Sequence, residues 1–124
     1  MEEIVIDSHA LFWFLTGNQK LSSKAQRVIE DAAQVIVPTI VLLEIYYLLK
    51  KQGLGHRFIE LLAEIKNRTY LVYPLDLEVV VHVVSLDDAL EMHDRVIVAT
   101  AAMWRVPIVT KDSIIQRTYP KTVW

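Results

Sequence analysis

The sequence of 124 residues contains no cysteine, which excludes a disulfide scaffold and a metal site built on thiolates. This composition suits a reducing compartment, so we expect a cytoplasmic protein. Only three glycines are present, and none forms the glycine-rich turn of a dinucleotide-binding domain. Positive charge is not in excess either. Because the net charge is −2 and the pI is about 6.1, no overall field attracts nucleic acid.

Long hydrophobic runs are missing as well. A helix that spans a bilayer needs roughly 18 apolar residues in a row, and every apolar stretch here is shorter. Glu2 and Glu3 make the start of the sequence acidic, and Asp7 and His9 interrupt the apolar run that follows, so we expect no secretory signal. Hydrophobic residues nevertheless make up 53% of the chain, and the mean hydropathy is +0.31. This excess predicts apolar surface for a protein partner, commonly a second copy of the chain.

Short apolar segments alternate with helical patterns along the chain. The segments predict strands at 4–6, 35–37, 70–73 and 107–110, with an edge strand at 122–124. Apolar residues at helical spacing predict helices between them, including 56–67 and a buried one at 93–105. Strands of this kind predict a three-layer α/β/α sandwich with a mainly parallel sheet of four or five strands, formed by one domain of residues 1–124.

Polar residues at the predicted helix starts indicate caps. Ser8 is expected to cap the first helix, Ser22 or Ser23 the second, Thr39 the third and Asp76 the helix that ends near residue 84. Each of these side chains can accept a hydrogen bond from a free backbone N–H of the first turn.

Three aspartates stand where an apolar element begins or ends. Asp7 follows the first strand and Asp112 the fourth, so both belong at the carboxyl edge of the sheet, where parallel α/β folds bind ligands. Asp94 opens the most apolar helix, whose N-terminal dipole favours an anion. Helix capping would explain each aspartate alone. Their joint placement favours a functional site.

A purely structural role, such as helix capping, does not readily explain Glu44. It is the only charged residue among residues 40–49, and the residues one helical turn away are apolar. A solvated surface glutamate normally has polar neighbours at these positions. The structural alternative is a buried ion pair with an arginine, such as Arg95 or Arg105.

Carboxylates near a core are costly unless a counter-charge compensates them. If folding brings Asp7, Glu44, Asp94 and Asp112 together, they repel one another by on the order of several kcal/mol, which a divalent cation relieves. Oxygen-only ligands suit Mg²⁺ or Mn²⁺, and no histidine pair has the spacing of a zinc site. A cation of this type beside water suggests hydrolysis of a phosphate ester.

The same positions carry a resemblance to a known family. The run Ile-Asp-Ser-His-Ala-Leu at 6–11, the helical Glu44, the segment His-Asp-Arg-Val-Ile-Val-Ala-Thr-Ala at 93–101 and Thr-Lys-Asp at 110–112 resemble the PIN-domain ribonucleases. Within that family the chain is most similar to the VapC toxins of bacterial and archaeal toxin–antitoxin pairs. The resemblance covers the whole chain, and residues 93–101 are its most specific part. Ser8 stands where many relatives carry threonine, which keeps the hydroxyl.

The resemblance implies an α/β/α sandwich and a metal-dependent endoribonuclease. Asp7, Asp94 and Asp112 would hold Mg²⁺ or Mn²⁺, and Glu44 would complete the pocket or orient the attacking water. The supporting hydroxyls would be those of Thr110, Ser113 and Ser8. Arg95 would contact phosphate, steady a carboxylate or form a structural salt bridge. The basic residues expected to follow the RNA backbone, or otherwise to form ordinary solvated helix ends, are Lys50, Lys51, His56, Arg57, Lys66 and Arg68.

The resemblance also implies protein partners. Family members pair with an antitoxin whose basic residue enters the acidic pocket, and we expect a homodimer and no membrane contact. Most of the aromatic cluster is expected in the core, with part of it lining the homodimer face or a groove for an antitoxin helix. The members of the cluster are Phe12, Trp13, Phe14, Tyr46 and Tyr47.

Other functions remain open at this stage. A housekeeping PIN nuclease for RNA processing would share every feature named so far. A phospho-receiver-like, Mg²⁺-binding signalling domain would place an aspartate after a middle strand, where the chain has Pro38 and Thr39 after Val37. A haloacid-dehalogenase-type phosphatase would need Asp-x-Asp after the first strand, but position 9 is histidine. A non-catalytic interaction module would not need Glu44 in an apolar helix.

Overall fold

A computed structural model describes residues 2–124 and forms a five-stranded sheet in which every pair of neighbouring strands is parallel. The strands are β1 (Glu3–Ile6), β2 (Gln34–Pro38), β3 (Tyr70–Tyr73), β4 (Ile108–Val109) and β5 (Thr122–Val123). Their order across the sheet is β3-β2-β1-β4-β5. The predicted fold class, an α/β/α sandwich on a parallel sheet, is confirmed.

Helices connect the strands and cover the sheet. They are α1 (Ser8–Thr16), α2 (Ser23–Asp31), α3 (Thr39–Lys51), α4 (Phe58–Asn67), α5 (Leu77–Val84), α6 (Met92–Trp104) and α7 (Ser113–Thr118). A short 3-10 helix, Gly55–Arg57, precedes α4. None of the helices within residues 2–124 has the length and apolar character needed to cross a bilayer.

The core lies on both faces of the central strands. Val5, Ile6, Ile36, Val37 and Ile108 are fully buried. Strands covered on both faces by helices read as continuous apolar runs instead of alternating patterns, which is why the sequence indicated parallel strands. Burial of these side chains holds the ends of neighbouring strands in a fixed register.

The strand order creates a crevice at the carboxyl edge of the sheet. From β1 the chain proceeds to β2 on one side, whereas β4 pairs with β1 on the other side. The connections therefore diverge between β1 and β4, and ligands bind in α/β sheets at such a switch point. Asp7 follows β1 and Asp112 follows β4, so the two aspartates flank the crevice.

Two predicted caps are wrong. Asp7, and not Ser8, caps α1, and Ser8 is the first residue of that helix. Thr39 is the first residue of α3, which has no side-chain cap because Pro38 occupies the cap position. The caps at Ser22 and Asp76 are confirmed. The helix predicted at 56–67 begins as the 3-10 helix and becomes α-helical only at Phe58.

Candidate active site

A cleft of about 460 Å³ opens at the switch point between β1 and β4. All four carboxylates singled out in the sequence line it, together with a fifth from Glu91. The lining residues are Asp7, Ser8, His9, Trp13, Glu44, Glu91, Asp94, Ile97, Lys111 and Asp112. Residues separated by more than a hundred positions therefore share one cleft.

Asp7 both caps a helix and faces this cleft. Its Oδ1 accepts a hydrogen bond of 3.0 Å from the backbone N–H of Ala10, and its Oδ2 accepts one from the Thr110 hydroxyl. Burial raises the pKa of Asp7 from its ordinary value of 3.8 to about 6, although the bonds from Thr110 and Ala10 and the nearby His9 act in the opposite direction. Desolvation outweighs these hydrogen bonds because the side chain is almost completely buried.

Thr110 joins the ends of two neighbouring strands. Its hydroxyl donates to Asp7 and accepts a bond of 3.0 Å from the backbone N–H of Asp112. The Asp112 Oδ1 in turn caps α7 by accepting from the N–H groups of Ile114 and Ile115, each at 2.9 Å. Thr110 therefore fixes the Asp7 carboxylate relative to the backbone of Asp112. Ser113 is exposed on α7 and does not line the cleft.

Glu44 projects from α3 into the cleft, where its side chain is 28% exposed. The Ser8 hydroxyl donates to its Oε1 at 2.5 Å, and the His93 Nδ1 lies 3.7 Å from its Oε2. The proposed ion pair with Arg95 or Arg105 is wrong. The two nearest polar partners are a hydroxyl and an imidazole, so α1, α3 and α6 are linked through this carboxylate.

Asp94 is the least compensated of the four. It is half-buried in the first turn of α6, and burial is the main reason why its pKa rises from 3.8 to about 6. The negative charges of Asp112, Glu44, Glu91 and Asp7 raise that pKa further. None of the hydrogen bonds found within residues 2–124 reaches this carboxylate. Asp94 therefore lies among other negative charges without a hydrogen-bond donor to its own carboxylate.

The carboxylates line one cleft without converging on one point. As the side chains stand, no three histidine, aspartate or glutamate side chains within residues 2–124 are arranged to hold a single metal ion. Mutual repulsion between ionised carboxylates favours positions that keep their oxygens apart. Hydrogen bonds to Ser8, Thr110 and the start of α7 also hold three of the four carboxylates toward separate donors.

Arg95 points away from the cleft. Its Nε donates to the carbonyl of Leu90 at 3.0 Å, its Nη1 donates to that of Val83 at 3.2 Å, and its Nη2 lies 3.4 Å from Asp88. These contacts tie the end of α5 and the following loop to α6. The contact with Asp88 is the structural salt bridge that was one of the alternatives for Arg95. Asp87 and Asp88 are exposed and do not line the cleft.

The predicted RNA-binding basic residues also lie outside the cleft lining. Lys50 lies over the Tyr46 ring, with its Nζ 6.0 Å from the centroid, and Arg68 forms an ion pair of 2.8 Å with Glu64. The cleft's own basic groups are His9 and Lys111, which the sequence reasoning did not select. Their signal was adjacency, since each follows or precedes a predicted carboxylate within two positions.

The chain resembles known proteins in sequence pattern and in fold. A family model for the PIN domain matches residues 4–120. A toxin–antitoxin complex from Klebsiella pneumoniae is similar, with 20% identity, a TM-score of 0.72, and coverage of 98% of this chain and 96% of that one. DNA-bound VapBC from Salmonella typhimurium has 14% identity and a TM-score of 0.74, covering 99% and 98%.

A further similar structure is that of VapC20 from Mycobacterium tuberculosis, described as a toxin that cleaves the Sarcin-Ricin loop. It has 16% identity and a TM-score of 0.70, and the match covers 92% of this chain and 93% of that one. At such low identities the likeness concerns the fold. No curated protein matches the sequence.

Proposed function

Since the chain belongs to the PIN domain family, we propose that it is a Mg²⁺- or Mn²⁺-dependent endoribonuclease and the toxin of a toxin–antitoxin pair. One observation carries the proposal. Carboxylates from the end of β1, from α3, from the start of α6 and from the end of β4 line a single cleft at the switch point of the sheet. In a partly buried cleft such a concentration of negative charge is unfavourable unless a counter-charge, such as a bound cation, compensates it.

The donor set fits a hard divalent cation. No hydrogen-bond donor within residues 2–124 reaches the two carboxylate oxygens of Asp94, and burial, followed by the neighbouring charges of Asp112 and Glu44, raises its pKa. A cation between these groups would remove their repulsion, which now favours separated oxygens. Asp7, Asp94 and Asp112 would hold it, and Glu44 would complete the site.

When bound, such an ion lowers the pKa of a water molecule and stabilises charge on a phosphate. The protein side chains supply the positioning. Thr110 holds Asp7 and the backbone of Asp112 at a fixed separation, whereas Ser8 orients the Glu44 carboxylate toward the cleft. Glu44 would then orient the attacking water or accept its proton, a role that its partly exposed position in the cleft supports.

The toxin assignment is supported by the similar structures, which include toxins in complex with antitoxins. It predicts a small reading frame beside the gene whose product binds this chain and blocks cleavage. A housekeeping RNA-processing nuclease of the same family would lack such a neighbour. The phospho-receiver alternative has no support, since the family match covers nearly the whole chain.

An uninterrupted apolar stripe on α5 supports the homodimer. Its members recur at i, i+3, i+4 and i+7, and all are exposed: Leu77 by 78%, Val80 by 46%, Val81 by 62% and Val84 by 79%. Such a stripe normally packs against another helix, and a two-fold axis allows it to pack against its own copy. We propose that α5 forms the dimer face.

A second group of exposed apolar residues supports the antitoxin contact. Leu43 and Tyr47 lie one turn apart on α3 and are 53% and 63% exposed, and Ile59 on α4 is 71% exposed. They are the outer part of the predicted aromatic and apolar surplus, whereas Phe12, Trp13 and Phe14 pack against the core. We propose that an amphipathic antitoxin helix lies on this α3–α4 face.

One matched pair of substitutions distinguishes the proposed dimer face from the proposed antitoxin face. Val81→Glu on α5 is expected to give a monomer in light scattering, because it places two charges in an apolar interface. Ile59→Glu makes the same change at a similarly exposed position and should leave the dimer intact. A monomer with Ile59→Glu and a dimer with Val81→Glu would reverse the assignment.

The nuclease proposal is tested with two aspartate substitutions that differ only in location. Wild-type protein should cleave RNA in the presence of Mg²⁺ or Mn²⁺, and Asp94→Asn should reduce the rate by at least about a hundredfold because the cleft loses a charged ligand. Asp88→Asn removes a carboxylate outside the cleft and should retain full activity. Sequencing of cellular RNA ends after expression of each protein would locate the sites. Equal cleavage by all three proteins would refute the catalytic assignment.

A further inference from the structure

The indole of Trp13 forms one wall of the acidic cleft and is surrounded by basic groups. The Nζ atoms of Lys20 and Lys111 each lie over the ring at 5.9 Å from its centroid. The His9 ring is 5.4 Å away and tilted by 53°. Three separate parts of the chain thus bring positive or titratable groups to a single aromatic side chain.

Contacts with the core and with Trp124 hold the Trp13 ring in place. Trp13 packs against the core, and Trp124 meets it nearly edge-on at 5.9 Å with an interplanar angle of 62°. Both contacts limit rotation of the side chain. An aromatic ring that is already held in place loses little conformational entropy when a planar ligand packs on it.

The wall and the carboxylates belong to the same site. Trp13 lies on the helix that Asp7 caps, and Lys111 stands between Thr110 and Asp112. Trp13, His9, Lys111, Asp7 and Asp112 all line one cleft. A nucleotide held at the indole would therefore be a close neighbour of a phosphate held at the carboxylates.

We propose that Trp13 is a stacking platform for an unpaired base of the substrate, and that Lys111 and Lys20 bind the phosphates on either side of that base. This inference rests on the proposed nuclease function and names the residues of this chain that would hold a base and its phosphates. In a duplex the bases are stacked on one another and their faces are inaccessible, whereas an unpaired base can turn out onto an aromatic side chain.

The relative energies favour the base over the lysines on the ring. An exposed cation–π contact stabilises less than the stacking of a base on an aromatic side chain does. The lysine side chains are flexible, and their ammonium groups gain more from a phosphate than from the ring. An arriving nucleotide is thus expected to take the ring and move both ammonium groups to its backbone.

Lys20 and Lys111 also reduce the electrostatic repulsion between the protein and an RNA backbone. The chain has a net charge of −2, and its cleft carries five carboxylates. An RNA backbone approaching this cleft meets repulsion from the carboxylate side. Lys20 and Lys111 offset that repulsion on the Trp13 side, so the strand is expected to enter along this wall.

Binding is measured by fluorescence anisotropy with a short labelled single-stranded RNA in the presence of Mg²⁺. All proteins carry Asp94→Asn, so that the RNA is not consumed. Trp13→Ala should weaken binding by about tenfold or more, and Trp13→Phe should restore most of the affinity because it keeps an aromatic face. Trp104→Ala is the matched control, since this indole packs against Tyr73 at the far end of α6 and should not affect binding.

Lys111→Ala is an independent test, and because Lys111 is exposed the substitution should leave the fold intact. It should lower the slope of log affinity against log salt by about 0.7, the value for one contact with a single strand. If Trp13→Ala does not fold, this slope and the Trp13→Phe result decide the matter.

Equal affinities for Trp13→Ala and its parent, tighter binding of a duplex of the same sequence, or an unchanged salt slope for Lys111→Ala would overturn the proposal. Absence of any single-strand binding by the parent protein would do the same. The nuclease proposal is refuted by a different result, which is the absence of metal-dependent RNA cleavage by the wild type. The anisotropy experiment measures RNA binding and does not depend on cleavage.

Discussion

Asp94 and Arg95 are consecutive residues of α6 that face two differently built regions. Arg95 enters the corner between α5 and α6, where two backbone carbonyls and Asp88 accept from its guanidinium. Asp94 enters the cleft, where no hydrogen-bond donor within residues 2–124 reaches its carboxylate. Four other carboxylates lie nearby. One charge is compensated locally, and its neighbour is not.

The difference indicates what each region is for. Compensated charge joins elements together and stabilises the fold, as Arg95 does for α5 and α6. Uncompensated charge in a cleft costs stability and is expected where a ligand supplies the missing counter-charge. Substitutions in the corner should therefore change stability, and those in the cleft should change ligand binding and catalysis.

The largest stability effect is expected in the corner. Arg95→Ala should lower the free energy of unfolding by about 2 kcal/mol, since the carbonyls of Val83 and Leu90 lose a charged donor. The measurement is urea denaturation, with Arg117→Ala as the control because Arg117 is an exposed arginine on α7. Cleavage by the folded Arg95→Ala protein should be normal. Unchanged stability together with lost cleavage would move Arg95 into the active site.

The pH dependence of stability should reveal the cost of ionising the buried carboxylates of the cleft. Because the pKa values of Asp7 and Asp94 are raised from 3.8 to about 6, the folded state binds these protons more tightly than the unfolded state does. Without divalent metal, the free energy of unfolding should therefore fall as the pH rises through this interval. Allowing for solvent screening at Asp94, the loss should be about 1–2 kcal/mol for that residue.

Asp94→Asn removes this titrating group and should weaken the pH dependence, as measured by urea denaturation below and above the interval. Asp88→Asn should leave it unchanged, because that carboxylate is exposed. The same slope in wild type and in Asp94→Asn would show that Asp94 is not desolvated as described.

A somewhat smaller effect is expected from divalent metal at neutral pH. A ligand that binds only the native state at ten times its dissociation constant stabilises it by about 1.4 kcal/mol. Mg²⁺ or Mn²⁺ should thus raise the melting temperature of the wild type and of Arg95→Ala, and raise that of Asp94→Asn much less. An equal shift in all three would place the ions outside the cleft.

The smallest effect is expected from the link between α1 and α3. Ser8→Ala removes the donor of the 2.5 Å hydrogen bond to Glu44 and should lower the free energy of unfolding by about 1 kcal/mol. Ser8→Thr keeps the hydroxyl and should behave as the wild type. The cleavage rate should fall with Ser8→Ala, because Glu44 loses its orientation. A normal rate in Ser8→Ala would mean that Glu44 needs no such support.

The predictions from sequence succeeded where a repeating pattern reports burial. Continuous apolar runs located β1 to β4, and helical spacing located the helices to within a few residues, since both patterns follow from covering a sheet on two faces. They failed where local partners compete. Ser8 was expected to cap α1, but its hydroxyl donates to Glu44 while Asp7 caps the helix. The choice depends on a residue 36 positions away.

The sequence by itself determined that the chain forms a parallel α/β sandwich with acidic residues at the starts and ends of its elements, because burial and capping act over a few neighbouring residues. Only the tertiary structure decided that Asp94 enters the cleft and Arg95 the α5–α6 corner, and that Lys111 and Trp13 form a wall of the acidic cleft. Side chains one position apart point in different directions from a helix. Which partner each one meets depends on how distant elements pack around it.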